Sequence, residues 1–100
     1  MILEMAVLHV KPGRAGAFPE AFHKAEPIIS EAAGHISYEL HRCLEHPDRF
    51  LLLVRWNTLE DHTRGFRGSA NYERWKALLH HFYDPFPEVL HYERIDAASR

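Results

Sequence analysis

The chain has 100 residues, of which 26% are charged and 46% hydrophobic, and its formal net charge is −2. This size predicts one domain with a single modest core, and the balanced charge argues against nucleic acid or an anionic membrane surface as a partner. The single cysteine, Cys43, excludes an intrachain disulfide and fits a reducing, cytoplasmic location.

The apolar N-terminal segment predicts a strand over residues 2–10. It contains Glu4 and has neither a basic start nor a cleavage site, so we do not expect a signal peptide. No run of the chain approaches 18 apolar residues, so no membrane helix is expected. A helix over about 15–33 follows, since apolar residues recur there at spacings of three and four. Pro27 should kink this helix and Gly34 should follow its end.

The middle of the chain predicts a hairpin followed by two helices. Strands over 35–44 and 49–57 flank a turn at Glu45-His46-Pro47-Asp48. Thr58 is a candidate N-cap for a short helix, and Ser69 for a second one that ends near residue 83. The two helices together act as one interrupted crossover.

The last predicted strand covers 89–95, and residues 96–100 are expected to fray, which leaves residues 1–95 as one domain. The order β-α-β-β-α-α-β predicts an α+β, ferredoxin-like split βαβ fold with a four-stranded antiparallel sheet. Its right-handed crossovers place the helices on one face of that sheet.

The other face of the sheet predicts a homodimer. In strand three Phe50, Leu52 and Val54 alternate with Leu51 and Leu53, so both sides of the strand are apolar. A face open to water normally alternates with polar residues. Leaving each such side chain in water forgoes roughly 1.5–3 kcal/mol, so we expect a second copy of the sheet to cover this face.

Several segments resemble the antibiotic biosynthesis monooxygenase (ABM) domain, a family of dimeric α/β barrels. They are RWNTLEDH leading into FRGSANYERW, and HHFYDPFPEVLHYE, which runs into the last strand. The resemblance covers the chain from residue 1 to about 94. It implies paired sheets, a pocket between sheet and helices, and in some members oxidation of aromatic compounds by O2 without metal or flavin.

The chain departs from two kinds of relative within that family. Haem-degrading relatives have a tryptophan near Phe66, a histidine near Lys76 and an asparagine in strand one, where this chain offers Glu4 and His9. Signal-processing relatives have histidines near Phe66 and Asn71. The function that the resemblance still implies is that of a cofactor-independent oxygenase acting on a phenol, quinol or anthrone. The alternative is a non-catalytic ligand-binding or stress-related protein.

His62 is the leading catalytic candidate. It shares a helical stripe with Leu59 and Phe66, which directs it toward the sheet. Imidazole titrates near neutral pH and suits a general base that removes a phenolic or enolic proton. The alternative is a structural histidine bonded to the backbone, to Glu60 or to Asp61.

An aromatic set is predicted around the gap between sheet and helices, to stack on a flat substrate or simply to form core. With His62, we predict Trp56 and Tyr72 as catalytic residues. The predicted substrate contacts are Phe22, Asn57, Phe66, Trp75 and Phe82.

The remaining polar strand residues predict structural roles. Arg55 is expected to pair with Glu39 or Glu93 across strands or the dimer interface, and the alternative role is to hold a substrate carboxylate. The strand histidines have no recognised metal-binding spacing, so no metal is expected. The family resemblance implies that no other cofactor is needed.

Overall fold

The computed structural model describes residues 1–99. Its four strands are β1 (Ile2–His9), β2 (His35–Arg42), β3 (Arg49–Trp56) and β4 (Val89–Glu93). The helices are α1 (Phe18–Ser30), a π-helix (Asp61–Phe66), α2 (Ala70–Leu79) and a 3-10 turn (His80–Phe82). The predicted element order and the ferredoxin-like α+β class are confirmed.

The sheet is antiparallel and open, with the order β2-β3-β1-β4. Strand β1 therefore lies in the interior, next to β3, and β4 forms one edge. The register sets Glu4 of β1 between Val54 of β3 and His91 of β4. These three residues consequently share the face that the helices cover, which we call the inner face.

The inner face holds the hydrophobic core, and the outer face remains apolar. Alternate residues of β1 and β3 are buried on the inner face, among them Leu8, Leu52 and Val54. On the outer face Leu51 and Leu53 are half-buried, and no helix of the described part of the chain covers them. The alternation predicted for β3 is confirmed.

Helix boundaries differ from the prediction by a few residues because local turns replace the helix ends. Residues 15–17 form a turn before α1, and α1 continues past Pro27 to Ser30. Gly34 has a positive φ of 82°, which suits its place between α1 and β2. A Cβ atom at Gly34 would overlap the Asp61 carboxylate, so the start of β2 lies against the start of the π-helix.

The end of the chain is shorter in regular structure than predicted. Strand β4 stops at Glu93, and residues 94–99 form no helix or strand. The predicted frayed tail, 96–100, includes Arg100, which lies outside the described residues. Within residues 1–99 no helix combines the length and apolar character needed to cross a bilayer.

Candidate active site

The π-helix presents His62 to the inner face of the sheet. The helical segment that leads into it starts after Thr58, where the Thr58 backbone N–H donates to Asp61 Oδ2 and the Asp61 backbone N–H donates to Thr58 Oγ1, each over 3.1 Å. The Arg67 backbone N–H then donates to the His62 carbonyl five residues back, over 3.0 Å. The wide turn buries His62 and Phe66 together.

Glu4 lies beneath His62 and is 5% exposed. The Trp56 indole Nε1–H donates to Glu4 Oε1 over 2.9 Å. His62 Nε2 lies 3.3 Å from the same oxygen, and the imidazole of His62 stacks on the Trp56 ring at a centroid distance of 5.2 Å. A buried carboxylate therefore faces a buried imidazole, with a tryptophan holding both in place.

His91 completes a chain of three titratable side chains. Its Nε2 lies 2.7 Å from His62 Nδ1, on the side of the imidazole away from Glu4. His91 is half-buried on the edge strand β4, whereas His62 is 3% exposed. The chain thus runs from a fully buried carboxylate to the edge of the sheet.

Burial dominates the ionisation of this group. Desolvation lowers the pKa of His62 to about 3, with smaller contributions from the charges of Arg67 and His91. Desolvation likewise raises the pKa of Glu4, against the opposing effects of the Trp56 hydrogen bond and the Arg67 charge. Because His62 is neutral at pH 7, its contact with Glu4 is a hydrogen bond and not an ion pair.

A cavity of about 400 Å³ opens above Glu4 and His62, between the sheet and α2. Its walls include the aromatic rings of Phe66, Tyr72 and Trp75. Arg67, His80 and Phe86 also line it. This volume lies within the range of small-molecule sites, and the mixture of apolar walls with a few polar groups is typical of them.

Four of the residues predicted as site residues line this cavity: His62, Phe66, Tyr72 and Trp75. The other four do not. Trp56 is fully buried and reaches the site through its hydrogen bond to Glu4. Phe22 packs behind Trp75 at a centroid distance of 5.6 Å, and Phe82 lies against Phe18 at 5.4 Å. Asn57 is exposed, and its backbone N–H donates to the Gly34 carbonyl.

Three residues at this site were not predicted: Glu4, His91 and Arg67. Glu4 could have been found from the alternation of β1, which places its carboxylate among Ala6, Leu8 and Val10 on the buried face. A carboxylate on the buried face of a strand is rarely there without a partner or a function. The role of His91 depends on strand order, for which the sequence carries no local signal.

The structure also shows the contacts of Arg55 and His62, for which structural roles were considered. Arg55 Nη1 donates to Glu39 Oε2 over 3.1 Å, so the predicted cross-strand pair is confirmed. His62 bonds to Glu4 and His91, and not to Glu60 or Asp61 as the structural alternative supposed. Within residues 1–99 no group of three or more histidine, cysteine or acidic side chains is arranged to hold a metal ion.

Sequence comparison gives a family and a relative that spans the whole domain. The family model described as antibiotic biosynthesis monooxygenase matches residues 1–78. The uncharacterized protein YczJ of Bacillus subtilis is 53% identical over 95 residues, which cover 95% of this chain and 100% of YczJ.

Solved structures give the same family. A Bordetella bronchiseptica protein named as a candidate antibiotic biosynthesis monooxygenase is 34% identical, with a TM-score of 0.90 over 94% of this chain and 96% of its own. SnoaB of Streptomyces nogalater, described as a cofactor-independent oxygenase, shares the fold at a TM-score of 0.85, with 99% and 97% coverage and 11% identity. The chain therefore belongs to the antibiotic biosynthesis monooxygenase family.

Proposed function

We propose that this protein is a cofactor-independent monooxygenase that oxidises a small phenol, quinol or anthrone with O2. The observation that carries the proposal is the buried Glu4–His62 pair on the floor of an aromatic-walled cavity. Desolvating a carboxylate makes it a stronger base than one in water, which is what removal of a weakly acidic proton requires.

Glu4 Oε2 is the atom that would take the substrate proton. Both polar contacts of Glu4 in the described residues, from Trp56 and His62, are made by Oε1. Oε2 is therefore left to meet a ligand in the cavity. His62 and Trp56 act with it by holding the carboxylate in position, so the base is the Glu4–His62 pair and not the imidazole alone.

The substrate supplies all the electrons for the reaction. Loss of a proton leaves an electron-rich anion that gives one electron to O2, and the resulting superoxide and organic radical combine through a new C–O bond. Loss of water from the hydroperoxide breaks the O–O and C–H bonds and leaves a carbonyl. A methylene thus becomes a carbonyl while O2 gives one oxygen to the product and one to water, without an external reductant.

The cavity walls fit a flat aromatic substrate. Phe66 meets Trp75 edge to face at 5.7 Å and Tyr72 at 5.4 Å, which leaves ring faces and edges along the cavity for stacking. We propose that the Tyr72 hydroxyl orients a substrate oxygen. Phe22 and Phe82 support the wall from behind, and we assign no contact to Asn57.

A ligand-binding role without catalysis is the second candidate, and one observation favours it. His62 makes two contacts of its own and its Nε2 already lies against Glu4, as expected for a structural histidine. In that case the cavity binds an aromatic compound and Glu4 serves only to accept its hydroxyl.

Oxygen uptake distinguishes the two candidates. The protein is offered a panel of anthrones, naphthols and naphthoquinols in air, with no metal or flavin added. Under the monooxygenase proposal Glu4→Gln lowers the rate by about 100-fold or more, because the base is lost, and His62→Gln lowers it less. Glu20→Gln, on the exposed side of α1, is the matched control. Uptake no faster than the spontaneous rate, together with saturable binding, would favour the second candidate.

We further propose that two chains pair through their outer sheet faces and that the protein works in the cytoplasm. The half-buried Leu51 and Leu53 and the exposed Leu90 and Tyr92 support the first point, because together they form an apolar surface. The free Cys43 supports the second. Light scattering at micromolar concentration tests the pairing, and a mass near 11.7 kDa would contradict it.

A further inference from the structure

His62 is bonded through both of its ring nitrogens but has only one ring proton. A neutral imidazole has one nitrogen that donates and one that accepts. Its Nδ1 faces His91 Nε2 at 2.7 Å and its Nε2 faces Glu4 Oε1 at 3.3 Å. Each contact needs one hydrogen between the two atoms, so the direction of one hydrogen bond fixes the direction of the other.

Only two arrangements satisfy both contacts. In the first, His91 Nε2–H donates to His62 Nδ1, His62 Nε2–H donates to Glu4, and Glu4 is an anion. In the second, Glu4 carries a proton on Oε1 and donates it to His62 Nε2, and His62 Nδ1–H donates to a lone pair on His91 Nε2. The tautomer of His91 is thereby coupled to whether Glu4 Oε1 carries a proton.

We propose that His91 is a positioning residue that keeps Glu4 Oε1 free of a proton, through the single ring proton of His62, so that Oε2 can take a proton from the substrate. The proposal rests on the proposed role of Glu4 as the base of the cavity. His91 touches no substrate, since it does not line the cavity. While Oε2 holds the substrate proton and later returns it to the departing oxygen, Oε1 continues to accept from His62 Nε2–H in the first arrangement.

The surrounding groups favour the first arrangement, in which Glu4 is an anion, when no substrate is bound. Trp56 on β3 donates to Glu4 Oε1 in either arrangement, because indole is a donor only. Arg67, which follows the π-helix, places a positive charge near Glu4, His62 and His91 alike. That charge stabilises the carboxylate and disfavours protonation of either imidazole, so we expect His62 as the Nε2–H tautomer at pH 7.

Nuclear magnetic resonance of the intact protein tests this without a substrate. Ring ¹⁵N labels on histidine report the tautomer of His62, and a side-chain ¹³C label on glutamate reports the titration of Glu4. In the wild type we expect the Nε2–H tautomer of His62 at pH 7. Finding the Nδ1–H tautomer while Glu4 is ionised would overturn the proposal, whatever any variant does.

Three variants separate hydrogen-bond direction from simple packing. His91→Leu removes the donor to His62 Nδ1, so we expect the midpoint of Glu4 to rise by about one pH unit. His91→Gln retains an N–H donor and restores the midpoint. His46→Gln, in the exposed turn between β2 and β3, is the control and leaves it unchanged.

An unchanged Glu4 midpoint in a folded His91→Leu protein would also overturn the proposal. Thermal unfolding establishes that the variant is folded. Because no oxygen uptake is measured, failure of the monooxygenase proposal and failure of this one are distinguishable.

Discussion

The inner face of the sheet has a dry end and a polar end, and they contrast sharply. At the dry end Phe18 is fully buried and its ring lies 4.9 Å from Phe50 and 5.7 Å from Tyr83, in edge-to-face contacts. At the polar end the same sheet buries Glu4 and His62 in contact with each other. Both ends are buried, yet only the polar end contains an acidic and a basic side chain that burial disfavours in their charged forms.

This difference separates burial that stabilises the fold from burial that shifts the ionisation of side chains. Apolar burial at the dry end stabilises the fold by roughly 1.5–3 kcal/mol for each large side chain. At the polar end, desolvation raises the pKa of Glu4 and lowers that of His62, so each group has lost some of its preference for the charged form. Substitutions at each end, and a change of pH, test whether the two ends are independent.

The largest expected effect is at the dry end. Phe18→Ala removes a ring that contacts Phe22, Phe50, Phe82 and Tyr83. We expect the free energy of unfolding in urea to fall by about 3–5 kcal/mol, because a cavity replaces the ring. Leu44→Ala, where the side chain is 89% exposed, should change it by less than about 0.5 kcal/mol. A shifted Glu4 midpoint in Phe18→Ala would show that the two ends are coupled.

An intermediate effect is expected from acid at the polar end. The folded pKa of His62, about 3, lies below the unfolded value near 6.5, so the unfolded chain binds a proton that the folded one does not. Stability from this group is therefore present above pH 6.5 and is lost as the pH falls toward 3. Between pH 7 and pH 5 the expected loss is about 2 kcal/mol.

The variant His62→Gln isolates that contribution in urea unfolding at the two pH values. Its stability should fall about 2 kcal/mol less than that of the wild type over this range, whereas the exposed-site variant His46→Gln should match the wild type. The raised pKa of Glu4 acts in the opposite direction, since its stabilisation is lost as pH rises, and Glu4 is present in all three proteins. Equal losses in the wild type and His62→Gln would mean that His62 is protonated in the folded state.

The smallest effect is expected from the exposed cation beside the site. Burial lowers the pKa of His91, and the charge of Arg67 lowers it further; the same charge offsets part of the rise that burial causes in the pKa of Glu4. Arg67→Gln should therefore raise both NMR midpoints by less than about one pH unit at low salt, and added salt should shrink the difference. Arg64→Gln, also exposed, should have little effect. A fall in either midpoint would contradict this assignment.

Most of the fold could be predicted from the sequence because its signals are local. The alternation in β1 and β3 and the cap at Ser69, whose Oγ accepts from the Tyr72 backbone N–H over 3.2 Å, each appear within a few residues. The ends of helices were less predictable because turns replace their first or last residues, as at residues 15–17 before α1. The apolar outer face was equally visible, since it needs only the period of a strand.

The site was predictable only in part because its geometry depends on pairing. His62 could be directed inward from its helical stripe, but the π-helix that carries it has no sequence signature comparable to a cap. Glu4 gave the clearest missed signal, an acidic residue on a buried strand face. Glu4 lies opposite His91 because β1 and β4 are neighbours in the sheet, although 86 residues of chain separate Glu4 from His91.

Gly34 lies just before β2 and packs against Asp61, next to His62 of the candidate site. Its bare Cα leaves the space that the Asp61 side chain occupies, and Asp61 in turn caps the segment that ends at Phe66. Alanine at this position would force that carboxylate to move and would strain a backbone that has a φ of 82°. A short connection that looks replaceable is therefore confined to glycine, and a substitution meant to stiffen it would disturb the start of the helical segment that carries His62.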